Sequence, residues 1–162
     1  MYPQPTVIEA TVFAQVPDEL QLLDRDSHMS RDIFRDRPLG SFLEGPSFDR
    51  DGNLYVVDIA HGRVFKVSPS GEFQVAADYD GSPNGLKIHQ DGRIFVADRR
   101  NGIIEIDPVN GKVSTFIGPD DLPGYKGVND LFFASNGDLY FTDQGDSGLH
   151  DPTGRVFRRD GK

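Results

Sequence analysis

Short runs with a two-residue period and short apolar runs, separated by turn residues, occupy most of the chain from about residue 43 onward. The run Arg63-Val64-Phe65-Lys66-Val67 is one example of a strand with one buried face. Turn signals such as Arg50-Asp51-Gly52 and Pro69-Ser70-Gly71 separate such runs. Only residues 17–34 offer a helical period, and a weak one. The pattern therefore predicts an all-β chain.

An eight-residue motif occurs three times along the chain. Residues 51–58 are DGNLYVVD, residues 91–98 are DGRIFVAD and residues 136–143 are NGDLYFTD. The spacings, 91 − 51 = 40 and 136 − 91 = 45 residues, are typical of β-propeller blades. The predicted strands are 45–49, 53–57, 63–67 and 72–77 in the first repeat, 85–89, 93–97, 102–107 and 112–116 in the second, and 130–134, 138–142 and 155–159 in the third.

Three blades of a β-propeller are therefore predicted, the third without its outer strand. Residues 41–162 form blades 1–3 in this interpretation. Residues 1–40 form an N-terminal lead, in which a strand near residues 6–16 would close the last blade.

Composition and charge remove several classes of function. The 26 acidic and 17 basic residues give a net charge of −9, which disfavours nucleic acid and anionic membranes as partners. The absence of an apolar run of about 18 residues predicts a soluble, cytoplasmic protein without a membrane partner. The chain has no cysteine, so it has no disulfide, thiolate metal site or cysteine nucleophile. No serine-hydrolase elbow, P-loop or dinucleotide-binding motif is present.

Oxygen-bearing side chains occupy one position in all three repeats. Seven residues before each repeat motif lie Glu44, Asn84 and Asn129. In a propeller the equivalent positions of the innermost strands converge around the central axis, and carboxylate and amide oxygens are ligands that suit calcium. The alternative is that Asn-Gly and Asn-Asp are simply common turn pairs, but glutamate is a poor turn residue.

The longer loops are predicted to lie at the same rim as these three residues. Residues 119–128 and 143–154 are long, as functional loops on a rigid scaffold often are. They add Tyr125, Asp143 and Gln144 as pocket candidates. Asp143 also belongs to a strand-end series with Asp58 and Asp98, which we expect mostly to cap turns.

Four motifs resemble those of the regucalcin–gluconolactonase family of six-bladed β-propellers, from about residue 41 to residue 162. They are Phe42-Leu43-Glu44-Gly45-Pro46-Ser47-Phe48, Ser82-Pro83-Asn84-Gly85-Leu86, Gly127-Val128-Asn129-Asp130-Leu131 and Tyr140-Phe141-Thr142-Asp143. The resemblance implies three of an expected six four-stranded blades.

The same resemblance implies a divalent metal in the pore, held by Glu44 and, as in paraoxonase-like propellers, by Asn129. Asn84 would line the pore or contact substrate. Some sugar-lactone members have an arginine where this chain has Gly127, so an aldonolactone is a less expected substrate. The remaining metal ligands and the general base would come from later blades, supplied by a longer chain or a partner chain.

These observations predict a calcium-dependent hydrolase of lactones or related esters, with zinc or magnesium as other possible metals. The metal would polarise the carbonyl while a carboxylate activates water or attacks directly, and that catalytic residue is unknown. The alternative is a non-catalytic calcium-binding or protein-interaction propeller.

Overall fold

The computed structural model of the protein describes residues 3–32 and 34–161. Eleven strands form three antiparallel sheets in this part of the chain. Their bounds are β1 Leu43–Phe48, β2 Leu54–Asp58, β3 Arg63–Val67, β4 Phe73–Asp78, β5 Pro83–Ile88, β6 Ile94–Asp98, β7 Gly102–Ile106, β8 Val113–Ile117, β9 Val128–Phe133, β10 Leu139–Asp143 and β11 Arg155–Arg159.

Each sheet is a blade whose strands follow one another in chain order. The orders are β1-β2-β3-β4, β5-β6-β7-β8 and β9-β10-β11. All eleven predicted strands are confirmed, and their ends differ from the prediction by no more than two residues. The third blade has three strands in the described part of the chain, as predicted.

The inner strands lie side by side, with β1 against β5 and β5 against β9. Apolar side chains between the blades hold this arrangement, because blade 2 packs one face on blade 1 and the other on blade 3. Between blades 1 and 2 lie Val57, Leu86 and Val96. Between blades 2 and 3 lie Phe95, Leu131 and Phe141, among others. Burial of these faces is the main stabilisation of the fold.

The N-terminal lead contains little regular structure. Residues 18–20 form a 3-10 turn, Asp18–Leu20, and a short helix follows, α1 (His28–Asp32). Residues 3–17 contain no strand, and Val16 packs on Val56 and Phe65 of blade 1. The role of this segment in closing a last blade stays a prediction. None of the helices in residues 3–32 and 34–161 is both long and apolar enough to cross a membrane, and the cytoplasmic location also stays a prediction.

Candidate functional site: an amide-lined cleft at one rim

Each inner strand has a β-bulge at the same point of the repeat. The pairing of β1 with β2 shifts between Glu44 and Ser47, and the pairing of β5 with β6 shifts between Pro83 and Leu86. In blade 3 the shift lies opposite residues 141–143, which places it at residues 129–130 of β9. Bulges bend a strand and redirect its side chains, often beside functional sites. All three positions of the predicted ring therefore lie at or beside such an irregularity. Asn84 and Asn129 fall within the shifted segments, whereas Glu44 is the last residue before the shift and still pairs with Val57.

The bulged segments of neighbouring blades are in close contact. A Cβ atom on Gly45 would lie 2.5 Å from the carbonyl oxygen of Asn84, and one on Gly85 would lie 2.9 Å from that of Asn129. Only glycine permits this approach of inner strands. The structure thus brings the backbone around Glu44, Asn84 and Asn129 into one continuous row.

A cleft of about 560 Å³ opens at this row. Its lining includes the amide side chains of Asn84, Asn129 and Gln144. In residues 3–32 and 34–161 none of these three side chains makes a hydrogen bond to protein, so their oxygens and N–H groups are available to a ligand. Glu44 lies on the neighbouring inner strand, exposed and outside the lining, and its carboxylate likewise has no protein partner within those residues.

The strand-end aspartates have structural partners. Asp58 Oδ1 accepts the N–H of Phe42 at 2.9 Å, and its Oδ2 lies 2.6 Å from Arg63 Nη2. Asp98 Oδ2 accepts the N–H of Ser82 at 2.8 Å and the hydroxyl of Tyr79 at 3.0 Å. In each case the carboxylate ties the end of one strand to the start of the inner strand of its own blade.

Asp143 follows the same pattern. Its Oδ1 accepts the N–H groups of Lys126 and Gly127 at 3.0 and 2.7 Å, and its Oδ2 pairs with Arg155. The side chain is fully buried and does not line the cleft. These contacts favour the capping interpretation for Asp143 over the pocket interpretation, because both carboxylate oxygens are already engaged.

Tyr125 also lies beside the cleft rather than in its lining. Its hydroxyl donates to the carbonyl oxygens of Asp98 at 3.1 Å and Arg99 at 2.8 Å, which joins the loop before β9 to the loop after β6. Burial raises the pKa of the Tyr125 hydroxyl. A protonated hydroxyl suits this donating role and indicates that Tyr125 positions the rim.

Two histidines are placed by packing. His61 lies in the turn between β2 and β3. His89 packs on the rings of Phe133 and Phe95, with a centroid distance of 4.8 Å to the former. Its Nδ1 lies 2.9 Å from an Asp91 carboxylate oxygen.

The oxygen ligands in and beside the cleft suit a hard cation but are few. Among the described residues no group of three or more histidine, cysteine, aspartate or glutamate side chains is placed to hold a metal. Glu44, Asn84 and Asn129 offer one carboxylate and two amide oxygens, whereas calcium takes six to eight oxygen ligands. These residues can therefore form only part of a calcium site.

Sequence reasoning missed several lining residues, although the repeat contains the signal for some of them. The residue after each strand-end aspartate is Ile59, Arg99 or Gln144, and all three line the cleft. Only Gln144 was predicted. His28 and Met29 of α1 also line it, and no repeat could have indicated them because they lie in the lead.

Antiparallel blades with adjacent inner strands and a polar cleft at one rim define a β-propeller. The family model for the SMP-30/gluconolactonase/LRE-like region matches residues 42–162. The chain belongs to this family.

Similar proteins with reported names agree with this family. A lactonase drp35 of Staphylococcus aureus (strain bovine RF122 / ET3-1) is 34% identical over 111 residues, which is 64% of this chain and 34% of that protein. One of Staphylococcus epidermidis is 32% identical over 114 residues, which is 64% of this chain and 34% of that protein. The chain thus spans about a third of the length of the curated relatives it matches.

Solved structures share the fold. A gluconolactonase from Xanthomonas campestris superposes with a TM-score of 0.64 at 22% identity, over 75% of this chain and 44% of that one. The calcium-binding protein regucalcin from Agrobacterium tumefaciens does so with 0.56 at 19%, over 72% of this chain and 45% of that one.

Proposed function

We propose that the chain forms part of a divalent-metal-dependent hydrolase of lactones or related esters, with calcium as the metal. The observation that carries this proposal is the cleft itself, where Asn84, Asn129 and Gln144 present amide groups without protein partners among the described residues. Polar groups that converge in a cleft without internal partners are typical of a ligand site. The lactonase names of the relatives and the calcium-binding neighbour support the reaction class and the metal.

Each residue has a role in this proposal. Glu44 and Asn129 would hold the metal, which when bound polarises the ester carbonyl as a Lewis acid. Asn84 and Gln144 would donate hydrogen bonds to substrate oxygens and fix the ring in the cleft. Asp143 and Tyr125 would keep the rim in place. No described residue is assigned as the general base, which we expect from a further blade.

The need for a further blade is supported by one face of blade 3. Tyr140 is the repeat equivalent of Tyr55 and Phe95, which are 4% and 1% exposed because the next blade covers them, whereas Tyr140 is 38% exposed. Phe132 and Val156, on the same face, are also exposed. We infer that another blade, from a longer chain or a partner chain, packs here and completes the metal site.

The metal role is tested by calorimetric titration of the chain with calcium. Glu44→Gln should weaken calcium binding about tenfold or more, since even indirect partners of metal ligands change affinity by such factors. Glu72→Gln, an exposed glutamate beyond β3 in the same blade, is the matched control and should change nothing. Equal calcium affinities for the wild type and Glu44→Gln would remove Glu44 from the site.

The reaction is tested with a panel of lactones, with and without a chelator. Chelator-sensitive hydrolysis supports the proposal, and it should rise when further blades are supplied. Calcium binding without hydrolysis in the completed assembly would favour the non-catalytic calcium-binding alternative. A compact, fully active monomer of 162 residues in ultracentrifugation would contradict the need for another blade.

A further inference from the structure

We propose that Arg99 determines substrate specificity at this cleft by selecting lactones or esters that carry an anionic substituent, such as a carboxylate. This inference rests on the proposed function, because the substrate ring would occupy the same cleft. It concerns a group remote from the reacting carbonyl and is independent of which metal is bound.

Arg99 is the one lysine or arginine side chain that lines the cleft in the described part of the chain. The other charged or titratable lining residues are Asp146 and His28. The whole chain has a net charge of −9, so an anionic substrate is repelled at long range and needs a local cation to bind. Arg99 supplies such a cation beside the amides of Asn84 and Asn129.

The backbone of Arg99 is held at both ends. Its N–H donates to the carbonyl oxygen of Ser82 at 2.9 Å, and its own carbonyl accepts the Tyr125 hydroxyl at 2.8 Å. The preceding residue, Asp98, is fully buried and accepts the N–H groups of Arg100 and Asn101, both at 2.9 Å. Because this backbone is fixed, the Arg99 side chain loses less conformational entropy when it binds a ligand.

Gly127 leaves the space through which the Arg99 side chain passes. A Cβ atom at Gly127 would lie 2.9 Å from Cγ of Arg99, closer than real Cβ contacts allow. Gly127 has a φ of 123°, a conformation that favours glycine in any case. Glycine at this position therefore permits both the turn of the backbone and the course of the arginine across it.

The present partner of Arg99 is easily replaced. Arg99 Nη2 lies 2.6 Å from Oδ1 of Asp146, whose side chain is 92% exposed, while that of Arg99 is 43% exposed. Exposed ion pairs contribute little to stability, because water screens them. A carboxylate in the cleft can therefore replace Asp146 and bind the guanidinium through two parallel hydrogen bonds.

The neighbouring residue provides a matched control. Arg100 also pairs with an exposed aspartate, Asp80, at 2.5 Å, and its side chain is 47% exposed. It lines a different depression, with Ala60 and His61, rather than the amide-lined cleft. Arg100→Gln removes the same charge from the same loop and should not affect selection between substrates.

The kinetic test compares γ-butyrolactone with the same ring carrying a carboxylate, paraconate. Arg99→Gln should raise KM for paraconate about tenfold or more and leave γ-butyrolactone unchanged, since it removes a charge-assisted bond. Arg99→Lys should restore part of the preference. Asp146→Asn should lower KM for paraconate roughly two- to fivefold, because it removes a competing anion. An equal change for both lactones in Arg99→Gln would overturn the proposal.

A binding test separates this proposal from the lactone function. Cyclopentanecarboxylate and cyclopentanol are rings that cannot be hydrolysed, and their binding can be measured by NMR titration of the wild-type chain and the same variants. The role of Arg99 is supported if the wild type binds cyclopentanecarboxylate more tightly than cyclopentanol, and if Arg99→Gln loses this preference while Arg100→Gln keeps it. This result would support the role even if no lactone is hydrolysed. No preference in the wild type would refute it, whatever the activity.

Discussion

Replacement of Asp98 tests how the rim of the cleft is built. Its carboxylate is fully buried and accepts four hydrogen bonds, from the N–H groups of Ser82, Arg100 and Asn101 and from the hydroxyl of Tyr79. Asp98→Ala removes all four acceptor contacts at once. Asp98→Asn keeps one oxygen but turns an NH2 group toward the other pair of donors.

The expected losses follow from which donors can reach water. Arg100 is exposed, so water can replace the carboxylate at its N–H, whereas Ser82, Tyr79 and Asn101 are partly buried. At about 1–3 kcal/mol for each of these three donors left unsatisfied, Asp98→Ala should lower the free energy of unfolding by about 3–9 kcal/mol. In Asp98→Asn the Tyr79 hydroxyl can rotate and accept instead, so only one donor is lost, at about 1–3 kcal/mol.

Equilibrium unfolding in urea, followed by circular dichroism, measures both variants. A loss of about 4 kcal/mol is a large part of the roughly 5–15 kcal/mol that usually separates folded and unfolded domains. Wild type and both variants should have similar m-values, since the blades themselves remain. A loss below about 1 kcal/mol for Asp98→Ala, or a greater loss for Asp98→Asn than for Asp98→Ala, would refute this account of the rim.

Three further predictions follow from other parts of the molecule. In the isolated chain, Phe95→Ala should lower the free energy of unfolding by about 3–5 kcal/mol and Tyr140→Ala should lower it much less. The two positions are equivalent in the repeat, but Phe95 is 1% exposed and Tyr140 is 38% exposed. Equal losses in urea unfolding would contradict the conclusion that this face of blade 3 is uncovered. Burial raises the pKa of the Asp91 carboxyl, but hydrogen bonds from His89 and Arg93 outweigh it and lower the pKa to about 2. The stabilisation by ionised Asp91 is fully present above the ordinary pKa of 3.8 and is lost as the pH falls toward about 2. Between these pH values the free energy of unfolding should therefore fall less steeply for Asp91→Asn than for the wild type. Identical slopes for the two proteins would contradict this role of Asp91. Replacement of residues 144–151 by a short turn like residues 59–62 should change the order of preference among lactones more than the melting temperature, and the reverse result would contradict a specificity role for this loop.

The strands were predictable because their signals are local. Alternation within five or six residues and a turn at each end determine where β3 or β11 lies, and both match the predicted bounds. The repeat then predicts which strands are equivalent and hence the three blades. The ends of the inner strands were wrong by two residues because each strand continues through its bulge, at Gly45 and Gly85 for example. A bulge depends on the register with the next strand, which a single segment does not specify.

The partners of the site residues were harder to predict because they are distant in the sequence. Asp143 was a pocket candidate on account of the loop that follows it, but its carboxylate reaches back 17 residues to the N–H of Lys126. Tyr125 was a candidate on the same ground, and its hydroxyl reaches back 26 residues to Arg99. The first contact forms only when the strands of blade 3 pair and the second only when blades 2 and 3 pack, so residue type and loop length could indicate the region but not the role.

In each repeat a buried aspartate that caps the rim is followed by a residue that lines the cleft. The aspartate at each strand end is constant, as Asp58, Asp98 and Asp143, and its carboxylate fixes the backbone of the rim. The next residue varies, as Ile59, Arg99 and Gln144, and lines the cleft in every blade. Because the capped backbone has the same anchor each time, an apolar, a cationic and an amide side chain can occupy this position without a change in the fold. We therefore expect single substitutions after each aspartate to change selectivity at this rim, and substitution of the aspartates themselves to lower stability.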